Sequence, residues 1–424
     1  METIFALSSG RPPAAVSVIR VSGPDAHEAA RRIAGTLPEA RTAAVRELRR
    51  PGTGELLDEA LVLRFDGPAS ATGEDVVELQ CHGGRAVVDS ILSALGSVGD
   101  LREAQPGEFT RRAFENGRID LTEAEGLADL IEAETDSQRK AALAMAEGGL
   151  RKQIDSWRQQ LLDLSAHAEQ AIDYDEDDLG TDPQLAQSCK ALAAELQEWL
   201  DRPRAEPLKD GVRVVVAGPP NAGKSSLINS IAGEERAIVT DIPGTTRDHI
   251  EVPIAISGVP ILLTDTAGLR DTADVVEAMG VARASALVQA ADVLLWLGQP
   301  EDAPAHARLI KVHAKSDLPD RAAAPAGSLP VSARTGSGLT PLLERAVDLA
   351  RQVLPDEGAI ALNRRQSTHL EEAADALRGA ADATELILTA EQLRRARGAF
   401  DRLTGRAGVE DLLDALFGRF CLGK

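Results

Sequence analysis

No apolar run in this chain approaches the roughly 18 residues that a bilayer span needs, so no segment reads as membrane-spanning. The N-terminus, Met1-Glu2-Thr3-Ile4-Phe5, lacks a basic stretch followed by an apolar one, so no secretory signal is visible. Cysteine is scarce: Cys81, Cys189 and Cys421 are scattered and odd in number, which argues against a disulfide framework and for a reducing, cytoplasmic setting. Cys81-His82 has no further Cys or His at ligand spacing, which argues against a metal there. Aromatics make up only 3%, leaving helices to pack through small and aliphatic side chains. Positive charge is short as well, with 46 Lys and Arg against 67 Asp and Glu and a net charge of −21. General polyanion binding rests on neutralising phosphates with Lys and Arg, so this chain is not built for it. If nucleic acid is a substrate, a local basic patch or a partner must hold it.

What is present suits several domains: 424 residues, 43% of them hydrophobic. Three textures follow one another. Residues 1–117 carry short β-type runs, Val16 to Val21, Ala60 to Phe65 and Val76 to Leu79, separated by Gly-rich breaks, and read as an α+β domain. From Leu121 to about Leu200 apolar residues recur at three- and four-residue spacing. Leu121, Ala124, Leu127, Ala128 and Ile131 fall on one stripe of an amphipathic helix. The run Asp173 to Asp178 interrupts this region and reads as a solvated acidic loop. Residues 211–350 alternate strands with helices, the signature of a parallel sheet covered on both faces. Helical texture then returns, through Gln366 to Leu377, Glu391 to Leu403 and Val409 to Phe417. An α/β unit flanked on both sides by helical sequence implies an insertion into one helical domain. The expected division is 1–117, 118–208, 209–352 and 353–424.

Gly218-Pro219-Pro220-Asn221-Ala222-Gly223-Lys224-Ser225 fits G-x-x-x-x-G-K-S/T, between the apolar run Val212 to Ala217 and the helical stretch beginning at Ser226. Backbone N–H groups of such a loop wrap phosphates, and the helix N-terminus adds favourable dipole charge. Lys224 is placed to reach the β- and γ-phosphates and Ser225 to ligate magnesium. Further pieces follow in the order a GTPase requires. Gly244-Thr245-Thr246 fits a first switch loop in which Thr246 closes on magnesium and the γ-phosphate. In Asp265-Thr266-Ala267-Gly268, Asp265 suits magnesium through water and the Gly268 N–H suits the γ-phosphate. Ala314-Lys315-Ser316-Asp317 stands where N-K-x-D is expected, and an Asp317 carboxylate accepts from guanine N1 and N2, which adenine cannot satisfy. Ser332-Ala333-Arg334 completes the base pocket. These elements together imply a Ras-like P-loop domain taking GTP.

Two departures carry information. Ala314 replaces the usual Asn and removes a brace of the base pocket, and Leu269 stands where Ras-type enzymes place the water-orienting Gln. An aliphatic side chain cannot polarise water, so another group must act. Glu277 is the foremost acidic candidate, with Asp271 and Asp274 as rivals and solvated switch charge as the plain alternative. No arginine finger is assigned. Asn221 offers a side-chain oxygen to a monovalent cation that would neutralise developing charge, or it simply braces the loop.

The ending Phe420-Cys421-Leu422-Gly423-Lys424 resembles the Phe-Cys-Ile-Gly-Lys ending of the tRNA-modification GTPase family of MnmE (TrmE). So do Ala104-Gln105-Pro106-Gly107-Glu108-Phe109-Thr110-Arg111-Arg112-Ala113-Phe114, Asp120-Leu121-Thr122-Glu123-Ala124-Glu125 and Thr72-Gly73-Glu74-Asp75, and the resemblance covers essentially the whole chain. It implies an α+β tetrahydrofolate-binding-like N-terminal domain that also dimerises, an all-α central domain, and a Ras-like G domain inserted in the helical one. It implies a homodimer that works with the flavin-dependent MnmG (GidA), in a heterotetramer using FAD and NADH, on C5 of the wobble uridine of certain tRNAs. The group added is of the aminomethyl type, carboxymethylaminomethyl. A 5-formyl- or 5,10-methylene-tetrahydrofolate is implied at Arg20, Glu78, Arg118 and the terminal Lys424, with Arg118 where the family usually has Lys. The P-loop Asn then binds potassium, implying Asn221, Thr240, Ile242 and Thr245, while magnesium falls to Ser225 and Thr246 and the catalytic Glu to Glu277, acting through a bridging water. The full GTP set is Asn221, Ala222, Gly223, Lys224, Ser225 and Ser226, then Thr240, Asp241, Ile242, Pro243, Gly244, Thr245 and Thr246. Asp265, Thr266, Ala267, Gly268, Lys315, Asp317, Ser332, Ala333 and Arg334 complete it. Cys421 is either a nucleophile near the folate site or a packed free thiol. The competing reading is a ribosome-assembly GTPase of the Era or Der type, which shares a Leu after D-x-x-G. Such proteins carry a KH-like RNA-binding domain or a second G domain, and neither is visible here.

Overall fold

The computed structural model describes residues 2–174, 182–234, 251–266, 285–319, 321, 323–407, 410–418, 420 and 423. The chain forms two compact units, Met1–Ala128 with Asp401–Lys424, and Asp129–Phe400.

In the first unit the β-type runs become strands of one sheet: β1 (Thr3–Leu7), β2 (Val16–Ser22), β3 (Ala43–Arg49), β4 (Leu56–Phe65), β5 (Val76–His82) and β6 (Leu101–Glu103). Their order is β3-β4-β5-β2-β1-β6, antiparallel except for β1 beside β6. Side chains alternate between faces along a strand. Ile19, Val21, Val77, Leu79 and Cys81 therefore point to one face, where α1 (Ala26–Ala34) and α2 (Arg85–Gly96) bury them with Leu48 and Val62. Arg20, Glu78 and His82 lie on the opposite face. There Phe109 of α3 (Glu108–Glu115) packs with Ile4, Ala6 and Ala104.

The C-terminal helix Glu410–Phe417 and Phe420 close this unit against α4 (Leu121–Glu132), through Leu413, Phe417, Leu121, Ala124 and Ala128. The expected stripe of α4 holds for its first turns, but Ile131 is 36% exposed. Two glycines set how closely the C-terminal segment can approach. Gly107 has φ +71, and a Cβ there would stand 2.2 Å from the Phe417 carbonyl oxygen. Gly423 has φ +91, and its Cβ would stand 2.0 Å from the Leu7 carbonyl oxygen. Both are left-handed positions that glycine alone occupies cheaply, and neither obstacle is a flexible side-chain tip.

The second unit begins with helices: α5 (Asp136–Ala146), α6 (Gly149–Tyr174), α7 (Pro183–Leu200) and the short α8 (Glu206–Lys209). Thr135 and Gln138 form a reciprocal capping box at the start of α5, and Asp182 caps α7 with Pro183 in its first turn. A second sheet follows: β7 (Val212–Ala217), then α9 (Lys224–Glu234), β8 (Glu251–Ile256), β9 (Val259–Asp265), β10 (Val293–Trp296), β11 (Leu309–Ala314) and β12 (Ser328–Val331). The order is β12-β11-β10-β7-β9-β8, parallel throughout except for β8 beside β9. After α10 (Leu339–Arg351) the helical layer resumes with α11 (Arg364–Ala381) and α12 (Leu386–Thr404). Trp157 of α6 is fully buried, edge-on to Trp199 and stacked on Phe400, and its indole N–H donates to Glu195 at 2.8 Å. No described helix is long and apolar enough to cross a membrane.

Coverage of the second sheet differs from the expectation. Between β10 and β12 the described residues contain a 3-10 turn at Pro300–Asp302 and no α-helix. On one face Ile310, Val312 and Ala314 join the core that α10 covers, while Leu309, Lys311 and His313 on the other face are only half-buried. A parallel strand covered on both faces reads as a continuous apolar run. The alternation in β11 marks a strand covered fully on one face only.

Gly107→Ala should loosen the C-terminal helix, at a cost of about 2 kcal/mol or more from the positive φ and the clash. The expected readout is faster amide exchange across 410–417 with exchange in β7 and β9 unchanged; unchanged exchange across 410–417 would contradict the packing argument.

Candidate functional site

The phosphate-binding candidates gather at the C-terminal ends of β7 and β9, where ligands sit in open α/β sheets. β7 ends at Ala217 and the chain turns through Gly218 to Gly223 into α9. Lys224 is 7% exposed and its Nζ donates to the carbonyls of Gly218 at 3.0 Å and Pro219 at 2.9 Å, so the ammonium lies folded over its own loop. Ser225 Oγ donates to Asp265 Oδ2 at 2.6 Å. The parallel register of β7 on β9 makes that contact: Val216 stands opposite Asp265, so the strand end delivers its carboxylate to the first turn of α9. Asp265 is 1% exposed, and Thr266 Oγ1 donates to the Val216 carbonyl at 3.0 Å. A hydroxyl and a buried carboxylate converging are hard-oxygen donors, the chemistry magnesium selects, so Ser225 and Asp265 fit that ion.

The base-pocket candidates come from the ends of β11 and β12. Ser332 Oγ donates to Asp317 Oδ1 at 2.7 Å and accepts from the Thr335 N–H at 3.1 Å. The Ser332 hydrogen bond, helped by the charge of Arg334, holds the Asp317 carboxyl below its ordinary range. An ionised Asp317 is acceptor-only, as guanine recognition needs. Lys315 takes a left-handed φ of 61° and its Nζ donates to the Asn221 carbonyl at 2.7 Å, tying the base pocket to the phosphate loop. Asn221 itself has φ 58°, a conformation Asn tolerates, so its carbonyl is committed to Lys315. Ala314 packs into the core cluster at the end of β11.

The link from Lys315 to Asn221 was not anticipated, nor was a cavity of about 880 Å³ beside the phosphate loop. That cavity is lined by Pro219, Asn221, Trp296, Pro300, His313 and Arg321, among others, and lies where β10 and β11 lack a helical connection. Thr240, Asp241, Ile242, Pro243, Gly244, Thr245, Thr246, Ala267, Gly268, Leu269, Asp271, Asp274 and Glu277 lie outside the described residues, as do Cys421 and Lys424.

Among the folate candidates, Arg20 and Glu78 are cross-strand partners and meet: Arg20 Nε and Nη2 donate to Glu78 Oε1 at 3.0 and 2.8 Å. The guanidinium lies 5.6 Å over the Phe109 ring. Phe109 is 2% exposed and backs the guanidinium, so the part-exposed groups are the Glu78 carboxylate and the Arg20 guanidinium, which fit a polar heterocycle with an acidic tail. Arg118 lies beside Gly73, where a Cβ would come within 3.2 Å of its Cγ. Glu74 and Arg112 were present in the motifs but had no assigned role. Arg112, 4% exposed, bridges Glu74 at 3.0 Å and Glu108 at 3.0 Å, and Glu74 also accepts from Ser22 Oγ at 2.8 Å. Burial pushes the Glu108 carboxyl up, but hydrogen bonds from Arg102, the Gln105 N–H and Arg112 prevail and hold it down at about 2. Such a network pins α3 to the sheet, so these motif residues are architectural. Cys81 and His82 point to opposite faces of β5 and share no ligand position. Burial, with the Asp58 charge, pushes the Cys81 thiol up to about 11, and burial does the same to Cys189.

The family model of the MnmE helical domain matches residues 121–421, and that of the GTP-binding protein TrmE N-terminus matches residues 3–118. A tRNA modification GTPase MnmE of Erythrobacter litoralis (strain HTCC2594) is 53% identical over 427 residues, covering 100% of both chains. That of Novosphingobium aromaticivorans is 51% identical over 435 residues, again covering 100% of both. Among solved structures, the G domain of the T. maritima FeoB iron transporter is similar over 33% of this chain and 98% of its own, at 25% identity and a TM-score of 0.25.

Ser332→Ala should free the Asp317 carboxylate and weaken guanine nucleotide affinity about fivefold to twentyfold, the worth of one such hydrogen bond. Titration with a fluorescent GDP analogue measures this, and unchanged affinity would remove Ser332 from the pocket.

Proposed function

The chain belongs to the MnmE family of tRNA modification GTPases, and from that premise we propose that it hydrolyses GTP in the modification of wobble uridine C5 in certain tRNAs. The observation that carries the reading is the 2.6 Å contact between Ser225 and Asp265, which joins the phosphate loop to the strand that leads into the second switch. In this reading Lys224 moves from its loop carbonyls to the β- and γ-phosphates, and Asp317 with Ser332 selects guanine. Magnesium, held by Ser225 and Thr246 with Asp265 through water, offsets phosphate charge. The same proposal keeps the remaining GTP set, Asn221 to Ser226, Thr240 to Thr246, Asp265 to Gly268, Lys315 and Ser332 to Arg334.

Catalysis is assigned to Glu277, because Leu269 cannot orient water. Potassium at Asn221, Thr240, Ile242 and Thr245 would supply positive charge near the transferring phosphoryl group. Since the Asn221 carbonyl is engaged by Lys315, its side-chain oxygen is the atom assigned to the ion. Arg20, Glu78, Arg118 and Lys424 are assigned to a formyl- or methylene-tetrahydrofolate, which when bound supplies a one-carbon unit. The Arg20–Glu78 pair over Phe109 supports that assignment. Homodimerisation through residues 1–117, a G domain at 209–352 within helical parts 118–208 and 353–424, partnership with the flavin-dependent MnmG, and installation of a carboxymethylaminomethyl group belong to the same proposal. Cys421 keeps both readings, a nucleophile near the folate site or a free thiol. The Era or Der alternative loses its footing, because full-length similarity runs to tRNA modification GTPases.

A strain lacking the protein should lose the C5-modified wobble uridine on nucleoside analysis of bulk tRNA; unchanged tRNA would overturn the reading. Glu277→Ala should lower GTP turnover at least about a hundredfold with nucleotide affinity nearly intact, and turnover should be faster in potassium than in sodium buffers. Normal turnover with a large affinity loss would refute the Glu277 role, and equal rates in the two salts the cation role.

A further inference from the structure

A chain of net charge −21 repels a polyanion at long range, so any RNA it holds must meet a face where the local charge is reversed. Between Leu386 and Arg406 the local balance is basic: five arginines, Arg394, Arg395, Arg397, Arg402 and Arg406, stand against two acids, Glu391 and Asp401. Most of this stretch is α12, whose geometry sorts the residues. Leu393, Ala396, Ala399, Phe400 and Leu403 are fully buried, and Phe400 stacks on Trp157. At about 100° per residue, Arg394, Arg395 and Arg397 fall on the opposite side, and all three are exposed. The Arg394 side chain is 75% exposed.

The pairing of these three groups matters more than their number. Three other surface arginines of the helical layer are matched by acids: Arg378 by Asp375, Arg204 by Glu371 and Arg139 by Asp136. On the α12 face Arg394 bonds Glu391, but among the described residues Arg395 bonds only the neutral Gln392, at 3.2 Å. Arg397 forms no ion pair among the described residues. The face therefore carries uncompensated guanidinium charge within a single helical turn, on a helix whose other side is locked into the core. Exposed guanidinium forks on a rigid element match phosphate oxygens in both charge and geometry. Nothing on this face reads base edges, so its contribution is positioning rather than sequence recognition.

We propose that the Arg394, Arg395 and Arg397 face of α12 is the surface on which the phosphate backbone of the tRNA docks, an assignment that rests on the tRNA reading above. It removes the apparent conflict between an acidic chain and a nucleic-acid substrate, because one short stripe carries the contact.

The test measures affinity of the full-length chain for labelled unmodified tRNA across a salt series. Each phosphate contact adds about 0.7 to 0.9 to the slope of log affinity against log salt. Arg394→Ala/Arg395→Ala/Arg397→Ala should flatten that slope by about 2 to 3 and weaken binding at least tenfold at low salt, with guanine nucleotide affinity unchanged. The triple lysine replacement should keep most of the slope, and Arg378→Ala should match the unaltered chain. An unchanged slope in the triple alanine variant, or no salt-dependent tRNA binding by the unaltered chain, overturns the proposal. So does a triple variant that binds tRNA normally but loses a protein partner, which would assign the face to that partner. If a deletion strain lacks the modified uridine and the triple alanine variant restores it fully, this inference falls while the functional reading stands. A deletion strain with normal tRNA overturns the functional reading itself.

Discussion

Within the first unit the C-terminal segment comes so close to the N-terminal residues that two of its contacts leave no room for a Cβ, and much of that unit's architecture follows from this. At Gly107 the neighbour is the Phe417 carbonyl, and at Gly423 it is the Leu7 carbonyl. The two chain termini thus belong to one compact unit, and everything from Asp129 to Phe400 is an excursion that leaves and returns. Backbone-to-backbone contact of this kind tolerates no substitution by rotamer change, because no side chain is available to move aside. Phe420 fills the cluster with Phe417 and Leu121, and Gly423 lets the chain reach β1.

Within the second unit, function is assembled by hydrogen bonds between segments far apart in sequence. Ser225 meets Asp265, Lys315 meets Asn221, and Ser332 meets Asp317. Each pair joins the end of one strand to the end of another, which a parallel sheet makes possible because its strands all finish on the same edge. The three links form a chain from the magnesium candidates, through the phosphate loop, to the base pocket. Among the described residues the connections between β10 and β12 hold no α-helix, and Lys311 and His313 on the outer face of β11 are only half-buried.

In the first unit the polar economy is different. Glu74, Arg112 and Glu108 form a nearly buried network that the more exposed Arg102 completes, and the matching holds the Glu108 carboxyl down despite its burial. Removing one partner of such a network is far costlier than never having built it. The Arg20–Glu78 pair is more open and sits over an aromatic ring, an arrangement better suited to exchanging a partner than to holding a wall. Motif residues of the same charge type therefore divide into those that brace the domain and those available to a ligand, and only burial separates them.

The sequence by itself determined most of the second unit. The phosphate loop, the strand ending at Asp265 and the Lys315–Asp317 element are local patterns whose spacing follows from strand and helix periodicity, and the strands near Val16, Ala60 and Val76 were legible from alternation. The tertiary structure alone decided what depends on long-range approach. Glu74 and Arg112 are ordinary charges until α3 is laid on the sheet, and Ile131 continues a helical stripe that nothing covers at its end. The half-buried face of β11 shows in its alternation, but its cause, described connections on either side of β11 that hold no α-helix, is visible only in the fold. The arginines of α12 are likewise a list of charges in the sequence, and the core packing of Leu393, Ala396 and Phe400 is what turns three of them onto one face. Short-range periodicity is written in neighbouring residues, whereas burial and charge pairing belong to whatever the fold brings alongside.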